Sequence, residues 1–153
     1  MPDHDHGRCV ADAVQTAIEL CGKRGTRLTP VRRRVLELVW RSHEPVGAYS
    51  LLDVLRQEGW NAAPPTVYRA LDFLLDNGLV HRLESLNAFV GCNDPHRPHE
   101  GQHLICRDCG QVSEATDPEV SAAIRALAAG TGFSVIRQTV EILGLCERCA
   151  ARA

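Results

Sequence analysis

Two cysteine pairs carry the strongest chemical signal in this sequence: Cys106-Arg107-Asp108-Cys109 and Cys146-Glu147-Arg148-Cys149. Four thiolates brought together make a tetrahedral zinc shell of the closed, structural kind. Thirty-six residues lie between Cys109 and Cys146, more than in a compact zinc ribbon, so the site would tie the middle of the chain to its end. Gly110 follows the first pair and Gly144 precedes the second, both suited to turns. The competing chemistry is thiol–disulfide exchange, in which a Cys-x-x-Cys opens a helix and one thiol is acidified. Neither pair is expected to open a helix, and a redox enzyme needs only one pair. Structural zinc is the preferred reading, supplying folding energy to a C-terminal segment of about 60 residues that is small for a self-sufficient core.

A second donor set is spread more widely. His81, Cys92, His99 and Glu114 offer two imidazoles, a thiolate and a carboxylate, all acceptable zinc ligands. The soft thiolate favours zinc over iron or manganese. His96, Glu100 and His103 are spare donors in the same stretch, so spacing alone leaves the quartet open. Cys9 and Cys21 are isolated, and His4 and His6 fall in a polar N-terminal tail. Seven cysteines in a chain read as cytoplasmic point to metal ligation or redox work rather than structural disulfides.

The elements that must position these donors follow from periodicity. Residues 12–21 carry helical apolar spacing and stop at Gly22. Thr29 as cap and Pro30 in the first turn start a second helix bearing Val31, Val35, Leu38 and Val39 on one face. A third helix spans 48–58. A fourth begins at Pro64-Pro65-Thr66 and closes at Gly78. Residues 79–83 and 87–90 read as a hairpin. Helices followed by a hairpin is the order of a winged helix-turn-helix, whose last helix enters the major groove. Tyr68 and Arg69, with Thr66 beside them, occupy the first turn of that helix, where side chains reach base edges. The alternative places Tyr68 half in the core and Arg69 idle on the surface.

Beyond Cys92 the polar, proline-containing run to His103 reads as a hinge. Then come short strands at 103–105 and 111–115, and a helix capped by Asp117 with Val120, Ile124 and Leu127 facing inward. A long strand over 133–143 feeds the second cysteine pair. The fold class is α/β (α+β): a winged-helix domain over 1–91, a hinge over 92–102, and a small α/β dimerisation domain over 103–153.

With 17 Lys plus Arg against 19 Asp plus Glu, the net charge argues against a nucleic-acid partner, but its distribution does not. Between Lys23 and Arg41 stand seven basic residues, Arg27 and Arg32 among them, and one acid, Glu37. The hydrophobic share of 44 % excludes wholesale disorder. The longest uncharged run, Ala126 to Ile136, is far short of the roughly 20 residues of a membrane helix, and the N-terminus has no secretory core. A soluble, cytoplasmic protein with no membrane partner is expected.

In four segments the chain resembles the ferric uptake regulator superfamily of metal-dependent repressors. They are Arg27-Leu28-Thr29-Pro30-Val31-Arg32, Pro65-Thr66-Val67-Tyr68-Arg69-Ala70-Leu71, His103-Leu104-Ile105-Cys106-Arg107-Asp108-Cys109-Gly110 and Gly144-Leu145-Cys146-Glu147-Arg148-Cys149. The resemblance implies a homodimer that binds an AT-rich palindromic operator in double-stranded DNA when metal-loaded. Within the superfamily the chain is most similar to the zinc uptake branch. That similarity implies a regulatory zinc on His81, Cys92, His99 and Glu114, beside the structural zinc on Cys106, Cys109, Cys146 and Cys149. Two zinc ions per chain are thus expected. The histidine pattern typical of iron- and peroxide-sensing relatives is missing: the loop reads His99-Glu100-Gly101-Gln102-His103, and no histidine follows His103. The same similarity implies that Tyr49 reaches DNA, and that Asp53 and Arg56 could join two dimers on one operator, although an intrahelical pair is their default. The expected function is a zinc-responsive repressor of zinc uptake genes, with no enzymatic activity.

Overall fold

The structure is a computed structural model that describes residues 5–97 and 99–153; His4 lies outside them. The chain divides into two compact units, Met1–Arg97 and Pro98–Ala153. Among the described residues no helix is long and apolar enough to cross a membrane.

Among the described residues the first unit holds four helices and a hairpin: α1 (His6–Arg24), α2 (Pro30–Trp40), α3 (Ala48–Gln57), α4 (Pro64–Asp76), β1 (Val80–Leu83) and β2 (Ala88–Gly91). Helix α1 starts earlier than residue 12 because the Asp5 carboxylate accepts from the Gly7 N–H at 2.9 Å. Its end also runs past Gly22, with Gly25 in the left-handed region closing it. Val14, Ala17, Leu20 and Cys21 are its buried face, which makes Cys21 a core residue.

Helix α2 corrects a detail. Thr29 makes no side-chain cap bond; Pro30 already lacks one N–H and pre-sets the helical φ, so the turn closes without the hydroxyl. The α2, α3 and α4 faces meet in one core of Val35, Leu36, Leu51, Leu52, Leu55, Val67, Leu71 and Leu74, all essentially inaccessible. The hairpin pairs antiparallel with His81 opposite Val90. Val46, just before α3, bridges to Phe89 and so seats the hairpin on the helices.

In the second unit β3 (Gln102–Cys106) is central, with β4 (Val112–Ala115) antiparallel on one side and β5 (Val140–Gly144) parallel on the other. Asp117 caps α5 (Pro118–Gly130), accepting from the Glu119 N–H at 2.8 Å. The buried amide of Gln102 ties β3 to that cap: its oxygen accepts from the Asp117 N–H at 2.8 Å and its nitrogen donates to the Ser121 hydroxyl at 3.2 Å.

Two expectations fail here. The strand expected over 133–143 is only Val140–Gly144, because β3 is five residues long and its register ends at Gln102↔Val140, leaving 133–139 no strand to pair with among the described residues. Helix α5 does not face inward: among the described residues none of it is buried, and Leu127 is 74 % exposed. Phe133, Ile136 and Leu143 in the same unit are exposed as well, an unusual share of large apolar side chains to leave uncovered.

Candidate metal centres and nucleic-acid face

The β3–β5 register brings the two cysteine pairs together. Cys106 stands opposite Gly144, so the chain leaving β5 delivers Cys146 beside the end of β3. The four Sγ atoms of Cys106, Cys109, Cys146 and Cys149 lie within 4.8 Å of one another. Cys109 and Cys146 are 3.8 Å apart. A disulfide would need about 2.05 Å, whereas zinc bonded to sulfur at about 2.3 Å implies a tetrahedral edge of about 3.8 Å. The residues fit zinc.

Backbone donors prepare the cluster. The Cys146 N–H donates to Cys106 Sγ at 3.3 Å, and this bond, followed by the Cys109 N–H, pulls the Cys106 thiol down to about 6. The Cys146 thiol is also lowered, first by the Cys149 N–H. Cys149 goes the other way, pushed up to about 12 by its bond to Cys146 and by burial. Four thiolates repel at this range; a divalent cation is what lets all four ionise together. One sequence expectation is corrected: the second pair does open a helix, with Cys146 capping the single turn α6 (Glu147–Ala150).

The other four donors fall in two pairs, one per unit. In the first unit His81 projects from β1, and buried Cys92 follows β2 with its N–H bonded to the Leu79 carbonyl at 3.0 Å. Their ligand atoms lie within 4.8 Å of each other. In the second unit His99 Nε2 and Glu114 Oε1 are 2.5 Å apart. His103 is buried on β3 directly opposite Glu114. A Cβ at Gly101 would meet His103 Cε1 at 3.0 Å and Glu114 Oε1 at 3.2 Å, so the backbone passes close to these two side chains. An imidazole and a thiolate in one unit, an imidazole and a carboxylate in the other, are the donor types of a zinc site.

The structure places Tyr68 and Arg69 in the second turn of α4, both exposed, Tyr68 at 39 %. Thr66 accepts from the Ala63 N–H at 3.2 Å, capping the helix start. Tyr49 is 64 % exposed on α3. Arg56 donates to the Ala62 carbonyl at 3.0 Å instead of pairing with Asp53, and so braces the connection into α4. Arg27 is exposed. Arg32 is not free: its guanidinium lies over the Phe73 ring, 3.8 Å from the centroid. Sequence reading missed Phe73 as its seat, although the i, i+4 spacing from Arg69 places that ring on the same helix face.

The sequence profile of the ferric uptake regulator family matches residues 23–143. The chain belongs to the ferric uptake regulator family. Its place is therefore among regulators and not enzymes, which removes the oxidoreductase alternative. The zinc uptake regulation protein of Escherichia coli (strain K12) is 43 % identical over 134 residues, 87 % of this chain and 78 % of that protein. A solved zinc uptake regulator complexed with zinc and DNA overlays with a TM-score of 0.88 at 40 % identity, covering 94 % of this chain and 96 % of that one. Holo XcZur overlays at 0.84 with 47 % identity over 90 % of this chain and 96 % of its own. Apo XcZur overlays at 0.54 with 45 % identity over 94 % of this chain and 99 % of its own.

Proposed function

We propose that this chain is a zinc-responsive transcriptional repressor that, as a homodimer loaded with zinc, binds a palindromic, AT-rich operator and controls zinc uptake genes from the cytoplasm. The observation that carries the reading is the overlay, at 0.88, on a zinc uptake regulator solved with zinc and DNA. Two zinc ions per chain are assigned. Cys106, Cys109, Cys146 and Cys149 hold the structural one, for which their sulfur spacing speaks. His81, Cys92, His99 and Glu114 hold the regulatory one, for which their donor chemistry speaks. His103 backs Glu114 as a neighbour, not a ligand.

When bound, the regulatory ion supplies a fixed charge centre with directional bonds. His81 and Cys92 anchor the winged-helix domain to it, while His99 and Glu114 anchor the dimerisation domain, with the hinge between. The four side chains thereby restrict the hinge. In a dimer this sets the separation of two α4 helices, which must match successive major grooves about 34–36 Å apart. A population in which few molecules have that spacing binds weakly; restricting it strengthens binding, and DNA must tighten zinc by the same factor. Tyr68 and Arg69 read bases, Thr66 steadies that turn, and Tyr49 and Arg27 add contacts from neighbouring elements. The exposed apolar face of α5 and β5 is the surface the second copy covers. Asp53, exposed on the outer face of α3, is left available to a neighbouring dimer.

The test is a gel-shift titration with double-stranded promoter DNA in zinc and in chelator. Binding that appears with zinc and vanishes in chelator, at constant dimer content, is expected. Equal binding in both would refute the proposal.

A further inference from the structure

We infer that Arg32 is a positioning residue for DNA reading: it fastens the turn before α2 to the recognition helix α4, and its charge is not spent on a phosphate. This rests on the DNA-binding reading above. Arg32, Arg33 and Arg34 look in the sequence like a comb for the backbone, yet each has a partner within the protein. Arg33 bonds Glu37 at 2.9 Å, and Arg34 bonds Glu37 at 2.7 Å and Glu58 at 2.5 Å. Arg32 has no acid. Its Nη1 donates to the Arg27 carbonyl at 2.7 Å, and that oxygen also accepts the Thr29 N–H at 3.1 Å. The flat face of the same guanidinium lies on Phe73.

One planar group therefore joins three pieces: the turn that displays Arg27, the first turn of α2, and α4 one turn beyond Arg69. A planar cation stacked on a ring fixes both the separation and the tilt of what it joins, which an apolar contact or a flexible ammonium does less well. The buried residues Val67, Leu71 and Leu74 hold α4 in the fold without it. What Arg32 adds is the angle at which Thr66, Tyr68 and Arg69 are offered. Thr29, Val31, Arg32, Thr66, Arg69 and Ala70 line one shallow cleft, so the brace and the reading residues share a surface.

Salt dependence separates a brace from a phosphate contact. The probes are a duplex selected by the zinc-loaded wild type from a randomised palindrome library, and a scrambled duplex of the same composition. Binding to both is measured against salt for wild type, Arg32→Gln, Arg32→Lys and Phe73→Leu, all zinc-loaded and checked as folded by circular dichroism. Arg32→Gln and Phe73→Leu should each lower the selected-to-scrambled ratio about tenfold, the scale of a cation–π contact. The slope of log affinity against log salt should stay at the wild-type value. Arg32→Lys should not restore the ratio, and the double variant should be no worse than either single one. The inference is overturned if Arg32→Gln lowers the slope by about one phosphate contact while Phe73→Leu and Arg32→Lys behave as wild type. An unchanged ratio in every variant overturns it equally. Should Arg32→Gln fail to fold, Phe73→Leu decides, since it removes the seat and keeps the charge. A wild type that selects no duplex refutes the DNA-binding reading itself, an outcome visible before any variant is compared.

Discussion

His99 and Glu114 are joined Nε2 to Oε1 at 2.5 Å, with their side chains only 10 % and 6 % exposed. In the second unit, two side chains of the proposed regulatory shell therefore already converge, and an ion held by both would take the place of the proton they share. Glu114→Ala should keep the fold and the cysteine-bound ion while losing the other. Elemental analysis should fall from about two zinc per chain to about one. A variant that still carries the full complement would remove Glu114 from the ligand set.

Cys92→Ser tests the same site from the first unit. The thiol is buried and its backbone N–H bonds Leu79, an arrangement serine can keep. The variant should form a folded dimer whose DNA binding no longer responds to zinc. Gel shifts of wild type and variant that coincide across the zinc series would sink this assignment.

Cys106→Ser should behave differently. Cys106 ends the central strand and receives the Cys146 N–H, so its loss opens the cluster that fastens α6 to β3. Because metal binding at such a site is folding free energy, folded dimer should be lost in circular dichroism and gel filtration alike. Retention of a zinc-bound dimer would show that three sulfurs suffice.

Arg69→Ala should weaken binding to the selected duplex by about 1–3 kcal/mol and relax the preference at one position. Fluorescence anisotropy on duplexes substituted base by base reads both effects. A uniform loss across all sequences would assign Arg69 to the phosphates.

Leu127→Asp places a charge on the exposed face of α5. If that face is covered by a second copy, sedimentation should show monomer where the wild type is dimer. An unchanged dimer would place the interface elsewhere.

The ion pairs of α2 give the first unit a pH dependence of definite sign. Arg34 holds the Glu58 carboxyl below its ordinary value. Burial pushes Glu37 up, but bonds from Arg34 and Arg33 outweigh it and leave it lowered too. A carboxylate with a depressed folded value adds stability above its unfolded value, lost as the pH falls through the folded one. The melting temperature of Glu58→Gln should thus lie below wild type at pH 7, and the gap should close once the carboxylates protonate, below about pH 4. A gap that stays constant would mean Glu58 acts through packing.

Much of this was legible in local pattern. Asp117 caps α5 as its side chain predicts, and the α2–α4 stripes are the core, because a helix's apolar face is set by spacing along the chain. Local pattern misled where the partner of a segment lies outside it. The β-branched run over 133–139 has strand character but, among the described residues, no strand beside it. The apolar stripe of α5 reads as inward because periodicity finds a face without saying what covers it.

The sequence by itself determined the donor chemistry, the helix faces and the family, for these depend on residue types and short spacings. The tertiary structure alone decided that Cys106 and Cys146 meet, that His103 stands opposite Glu114, and that Arg32 rests on Phe73. Those relationships come from sheet register and helix packing, and a shift of one residue in the β3–β5 pairing would leave every motif intact while moving the second cysteine pair away from the first.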